Sequence, residues 1–396
     1  MTRAALAAAL LVVLIASALF GAAVAAKPGG TLRMVFMADP PTLDPAHATD
    51  LTSSAVIRQV FDALLELDEK LVPAPALAER WTVSADHRAY TFHLRRGAKF
   101  HNGREVRAAD VKYSFERAAR GKRPWVFEKL VGAREFIKSG APEIAGVRVV
   151  DDATVELRLE RPFAPFLHLI AYDAASIVPR EEADRRGAGF ASHPVGTGAF
   201  RFGSWRRDDQ VVLERFPEHF RGPANLERVV FRVIPAEATR FNEYAAGQLD
   251  VSDIPTGRCR ALQADPKLKA DVAIWPTLGT SALRFNVERA PFTDARVRRA
   301  IAHAIDPAII VNRVLEGCVA PAQGIVPPVL AGWTATAKRL PLDRERARSL
   351  RAEPASAREA RLGQQAARAD AGSARSRITS TRATSISASR RRSRHS

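Results

Sequence analysis

Apolar and polar residues alternate strictly along Tyr90-Thr-Phe-His-Leu94, with Tyr90, Phe92 and Leu94 on one face and Thr91 and His93 on the other. A period of two predicts a half-buried strand. Trp81-Thr-Val83 precedes it, and the polar run from Ser84 to Arg88 supplies the turn of a hairpin. The period then changes. Val111, Phe115 and Ala118 recur at helical spacing, and Asp110 falls in the first turn, where the helix dipole favours a carboxylate. Val147 and Val149 face Val155, Leu157 and Leu159 across Asp151-Asp152, which predicts a second hairpin. The aromatic-rich stretch from Pro162 to Tyr172 reads as helical core.

On either side of this block the pattern is again mixed. Gly30 to Phe36 predicts a first strand, and Pro40-Pro-Thr-Leu-Asp-Pro45 a loop stiffened by prolines with fixed φ. Val56, Val60 and Leu64 stripe a helix over Ser53 to Leu65. In Pro194-Val-Gly-Thr-Gly-Ala-Phe200, glycines on both sides of Thr197 let the backbone come close to something else. A phosphate loop is excluded there, because no Lys-Ser/Thr follows and the next residues begin a strand. Phe200–Trp205, Val211–Phe216 and Leu226–Pro235 predict strands, and Ala236–Gly247 a helix. Another strand ends at Arg284-Phe285-Asn286. A helix follows, capped by Thr293 or Asp294 and striped by Val297, Ala300, Ile301, Ala304 and Ile305. Asp306-Pro307 starts the next helix and Gly317 closes it.

Composition changes the picture mainly at the ends. Arg3 followed by the apolar run Ala4–Phe20 and by Ala23-Val24-Ala25 is a secretory leader, cleaved near residue 26. The small residues at the cleavage site argue against an uncleaved anchor, and no cysteine stands nearby to carry a lipid. No later stretch approaches the ~18 apolar residues of a spanning helix. The mature chain is therefore expected to be exported and soluble. The formal charge of +17 would suggest a polyanion partner, but the tail from Pro341 to Ser396 alone holds 14 Arg and only 5 acids. The body is thus mildly basic, and nucleic acid is not an expected partner. Beyond about residue 350 few large apolar residues remain among Ala, Arg and Ser, too few to offset the entropy of ordering, so the tail 341–396 is expected to be disordered. Export permits Cys259 and Cys318 to pair, but two cysteines so far apart do not establish a bridge, and two free thiols remain the alternative.

Catalytic and metal chemistry find no support. There is no Gly-x-Ser-x-Gly, His-Glu-x-x-His or Walker loop, the nine histidines are scattered without ligand spacing, and Asp151-Asp152 is better explained as a turn. No catalytic residue, metal site or cofactor is expected.

The wording of the scaffold is more specific than its periods. Ala78-Glu-Arg-Trp81, the run from Tyr90 to Gly103 and the helix Ala109-Asp-Val-Lys-Tyr-Ser114 resemble extracytoplasmic solute-binding protein family 5, the dipeptide and oligopeptide receptors of bacterial ABC importers. Pro194–Phe200, Gly247–Asp250 and the run from Asn286 to Asp306 match the same family. The resemblance implies an α/β, periplasmic binding protein-like (type II) fold, with mixed sheets in several lobes and a ligand cleft. On it, 27–63 and 190–268 are lobe I, 64–189 an inserted lobe II, and 269–340 an incomplete lobe III; family members continue well beyond this point, and the tail resembles an out-of-frame or truncated ending. The resemblance further implies a periplasmic monomer that captures a small peptide and delivers it to ABC permease subunits. Thr42, Leu43, Asp44, Gly196, Thr197, Phe285 and Asn286 are the cleft-lining candidates, whereas the family's main anchoring carboxylate lies in the part of lobe III not found here. Nickel, haem, glutathione or an opine are alternative ligands within the family, and polyanion binding through the Arg-rich tail is a reading of a different class.

Overall fold

The computed structural model describes residues 29–275, 278–330, 332–336 and 339–352, with two short strands at Thr379–Thr381 and Ser387–Ser389. The chain divides into two compact units, Met1–Pro235 and Ala236–Ser396. The leader, residues 1–26, and most of the tail lie outside the described residues.

The first unit opens with β1 (Thr31–Phe36), α1 (Leu51–Val60) and a two-stranded ribbon of β2 (Leu65–Leu67) and β3 (Pro73–Pro75). Next come β4 (Ala78–Val83), β5 (Ala89–Leu94), α2 (Ala108–Ala119), α3 (Ala133–Ser139), β6 (Val147–Asp151) and β7 (Thr154–Arg158). Two short helices, α4 (Phe166–Ile170) and α5 (Arg180–Arg186), lead to β8 (Phe200–Arg206), β9 (Gln210–Arg215) and β10 (Arg228–Val233). Two four-stranded sheets result, in the orders β1-β10-β9-β8 and β4-β5-β7-β6. The second sheet and its helices are thus inserted in sequence between the strands of the first.

The predicted periods account for both cores. In β5, Tyr90, Phe92 and Leu94 are buried and meet Val111, Phe115 and Ala118 of α2 in one cluster. Removing side chains such as Phe92 and Phe115 wholly from water is worth about 2–3 kcal/mol each. The first sheet packs against α1 through Val56, Ile57 and Val60, joined by Leu43, Phe61, Phe190, Val211, Leu213 and Phe231. Asp50 caps α1 by accepting from the Ser53 amide at 2.8 Å. The helix stops at Val60, short of the expected Leu65, because Phe61 turns the chain extended and Leu65 enters β2 instead. Likewise only Phe166–Ile170 of the stretch 162–172 is helical, since prolines occupy its start.

The second unit contains α6 (Glu237–Ala245), β11 (Val251–Asp253), α7 (Cys259–Ala264), β12 (Val272–Ala273), β13 (Ala282–Arg284), α8 (Ala295–Ala304) and α9 (Arg344–Ala352). Asp294 caps α8 by accepting from the Arg296 amide at 2.8 Å, and Asp306 accepts from Ala308 at 2.9 Å at the start of the next helical segment. That segment begins as α-helix at Pro307–Ile309 and widens to a π-turn over Ile310–Val314. Three elements of the tail are described. Helix α9 packs on α8 with Ala347 and Leu350 buried, Thr379–Thr381 pairs antiparallel with β13, and Ser387–Ser389 bridges β11 and β12.

Cys259 and Cys318 form a disulfide, settling the alternative that the sequence left open. The bridge ties α7 to the turn that follows the π-turn, across a separation of 59 residues. A closed loop of that size restricts the unfolded chain, so Cys318→Ser is expected to lower the second unit's stability by about 2–4 kcal/mol. Urea unfolding with and without reductant tests this: reductant should weaken the native protein toward the variant and leave the variant unchanged.

Candidate functional site

The loop after β1 is shaped by its own polar side chains. The Asp44 amide donates to Thr42 Oγ1 at 3.1 Å, and Asp44 Oδ1 accepts from the Ala46 amide at 3.0 Å. Arg117, from the last turn of α2, grips Asp44 through two bonds of 2.7 and 2.5 Å. The Asp44 side chain is only 3% exposed and that of Arg117 20%, so this pair is largely shielded from water. Arg117 also lies 5.3 Å over the Phe190 ring, and Leu43 is fully buried beside it. Above the pair lies a groove of about 570 Å³ lined by Thr42, Asp44, His47, Tyr113, Arg117 and Asp184 among others. The Tyr113 hydroxyl donates to Asp184 at 2.6 Å. Burial, reinforced by that carboxylate, pushes Tyr113 up to about 12, while the same bond holds Asp184 below its ordinary range.

The Gly196-Thr197-Gly198 turn is packed against the end of α1. A Cβ at Gly196 would sit 2.1 Å from the Val60 carbonyl oxygen, and one at Gly198 2.3 Å from that of Gln59, so only glycine fits at either place. Thr197 is fully buried; its hydroxyl donates to Asp62 Oδ2 at 2.8 Å and accepts from the Asp62 amide at 3.1 Å. On the other side, His101 Nε2 lies 2.9 Å from the Gly198 carbonyl oxygen and Nδ1 accepts from the Gly196 amide. These partners require the neutral ring with its proton on Nε2. Burial accordingly depresses His101 to about 4.

A second groove, of about 270 Å³, is lined by Ser192, His193, Phe202, Gly203, Ser204, Trp205 and Arg207. β1 runs parallel to β10, and β9 is antiparallel to both β10 and β8, so β1, β10 and β8 all point the same way. Trp205 and Arg207 therefore stand at the carboxyl end of the sheet, as does Asp39 just after β1. In sheets of mixed α/β folds that end is where ligands collect. A bulge between Phe202 and Ser204 re-aims the side chains that follow it. Asp39 binds Trp205 Nε1 with Oδ1 at 2.9 Å and Arg207 Nη1 with Oδ2 at 3.2 Å, and the guanidinium rests 3.5 Å from the centre of the Trp205 ring.

The structure sorts the seven sequence candidates into three groups. Thr42 and Asp44 share the larger groove. Leu43, Gly196 and Thr197 are buried and line neither groove. Phe285 and Asn286 belong to the second unit, where Phe285 packs on Phe292 at 5.0 Å and the exposed Asn286 accepts from the Glu288 amide at 3.0 Å. The Asp39–Trp205–Arg207 group was missed. Its signal was an acid immediately before Pro40 and a Trp-Arg-Arg run ending a strand, neither of which is distinctive by itself. Among the described residues there is no group of His, Cys, Asp or Glu that could hold a metal ion, and no helix is long and apolar enough to cross a membrane.

Two measurements follow from the larger groove and the turn. Asp44→Asn leaves the Arg117 charge without its partner and is expected to cost about 3 kcal/mol or more in a thermal melt. For His101, the unfolded chain takes up a proton near the ordinary value of 6.5, whereas the folded protein resists until about 4. Between those values the unfolded state binds more protons, so stability should fall by about 3 kcal/mol as pH drops through that window. A denaturation series from pH 7 to 4 should show this slope in the native chain and a flatter one in His101→Gln.

Residues 72–365 match the model of the bacterial extracellular solute-binding proteins, family 5. The dipeptide-binding protein of Escherichia coli (strain K12) is 32% identical over 293 residues, covering 70% of this chain and 54% of that protein. Heme-binding protein A of Haemophilus influenzae is 32% identical over 325 residues, covering 78% and 59% respectively. The solved structure of the Escherichia coli murein tripeptide binding protein MppA superposes with a TM-score of 0.75 at 28% identity, over 81% of this chain and 66% of that one. The chain thus spans less than two thirds of the length of these curated relatives. With the match reaching across both compact units, the chain belongs to the family 5 bacterial extracellular solute-binding proteins.

Proposed function

We propose that this chain is the solute-capturing component of an ABC import system, taking di- or oligopeptides outside the cytoplasmic membrane and passing them to permease subunits. Family membership over residues 72–365 is the observation that carries the reading. Its relatives include proteins named for a dipeptide and for a murein tripeptide, and they are named as binding proteins rather than enzymes. In this reading the protein works as a periplasmic monomer. Residues 27–63 and 190–268 form one lobe, 64–189 its insertion and 269–340 part of a third. Thr42 faces the solute, Asp44 holds the loop beneath it through Arg117, and Leu43, Gly196 and Thr197 fix the backbone around it. Phe285 and Asn286 are proposed solute contacts of the second unit by itself. No bond of the solute is made or broken; capture rests on burying its surface and matching its charges. A relative named for haem favours haem as the second ligand to try.

A melting screen of the full chain with dipeptides, tripeptides, glutathione and haem tests the proposal. A peptide present at a hundred times its Kd should stabilise the fold by about 2.7 kcal/mol. Movement with haem or glutathione but with no peptide would overturn the peptide assignment. No movement with any of them would overturn solute capture by this chain.

A further inference from the structure

We propose that the groove at the carboxyl end of the first sheet is a carboxylate subsite, with Arg207 as its anchoring cation. The inference rests on the solute-capturing reading and deepens it by naming the ligand group that this groove takes.

Three observations carry it. The first is which hydrogen-bonding valences remain open. Asp39 is only 12% exposed and both of its oxygens are engaged, one by the indole N–H and the other by the guanidinium. It therefore offers little to a cationic ligand. Arg207 is different. Its bonds to Asp39 and to the Pro40 carbonyl both leave from Nη1, its side chain is 54% exposed, and Nε and Nη2 meet no acceptor among the described residues. A guanidinium offering two N–H groups is the protein's best match to the two oxygens of a carboxylate.

The second observation is rigidity. Trp205 supports the guanidinium face-on, and Asp39 fastens indole and guanidinium to the same carboxylate. Part of the entropy that a free arginine would lose on binding an anion is lost already, and such preorganisation raises affinity without new contacts. The indole also shields one face of the cation from water, which strengthens its interactions at the other edge.

The third is the rest of the lining. The Ser204 hydroxyl can donate to an anion, the Ser192 hydroxyl is held by the Gly189 carbonyl oxygen and by His193 Nδ1, and Phe202 adds apolar surface. Among the lining residues there is no acid. A small solute with a carboxylate next to an apolar body matches this combination.

The test uses the full chain and two probes that differ only at the group in question, alanyl-phenylalanine and its C-terminal amide, with affinities measured by calorimetry. The native protein should bind the free acid at least about ten-fold more tightly than the amide, as expected for one charge-assisted pair. Arg207→Gln should erase that difference, and Arg207→Lys, which keeps the charge but loses the fork and the flat stacking, should retain only part of it. Melting curves of both variants establish that they are folded; Arg207 is exposed enough for either to be tolerated. If the native chain binds acid and amide equally, or if Arg207→Gln keeps the full preference, the subsite is wrong while solute capture stands. If neither probe binds the native chain, peptide capture falls and the subsite with it.

Discussion

Everything in the first unit depends on how closely two backbones approach at one place. The turn Gly196-Thr197-Gly198 lies against the last turn of α1 at a distance that excludes any Cβ. Both passages of the chain between the two sheets run through this spot, outward at residues 61–64 and back at 191–199. The Asp62 amide and carboxylate are held by Thr197, the Asp62 carbonyl accepts from Ile177, and the Leu43 amide donates to Ala191. His101, carried by the inserted part, closes the arrangement from the other side with both ring nitrogens. A buried polar network of this kind holds one geometry because each member is satisfied only there. The loop bearing Thr42 and Asp44 takes its position from this junction, and so does the start of β8, the strand that ends at Trp205.

The two arginine–aspartate pairs of the first unit show how burial divides structural from accessible charge. Arg117 and Asp44 use two bonds at both ends and sit largely out of water, so the pair spends its valence on itself and acts as a strut between the loop and α2. Arg207 and Asp39 share a single, longer contact, and more than half of the arginine side chain faces solvent. The same two residue types are therefore a brace in one place and an open hand in the other. Nothing in their identities distinguishes them; only the depth and the number of bonds do.

Much of the fold could be read from the sequence because it rests on local rules. The alternation in Tyr90–Leu94, the i, i+4, i+7 stripe of Val111, Phe115 and Ala118, and the caps at Asp294 and Asp306 all express short-range physics. The errors came where tertiary demand overrode them: Leu64 continues the α1 stripe but follows an extended residue, and Leu65 is recruited by the β2–β3 ribbon. The pairing of Cys259 with Cys318 could not be read because it depends on bringing two distant segments together. For the grooves, the glycines at 196 and 198 marked a close approach without revealing what approached. Asp39, Trp205 and Arg207 converge from strands at opposite edges of one sheet, a relation that no window along the sequence contains.

The Cys259–Cys318 bridge also bears on where the second unit can mature. A sulfur–sulfur bond of this kind accumulates where the surroundings are oxidising and is kept open by the thiol pool inside the cell. In reducing surroundings α7 and the turn after the π-turn would be held by side-chain packing alone, and the second unit would be easier to unravel. On the proposed export, passage outward would act as a covalent latch on these two segments.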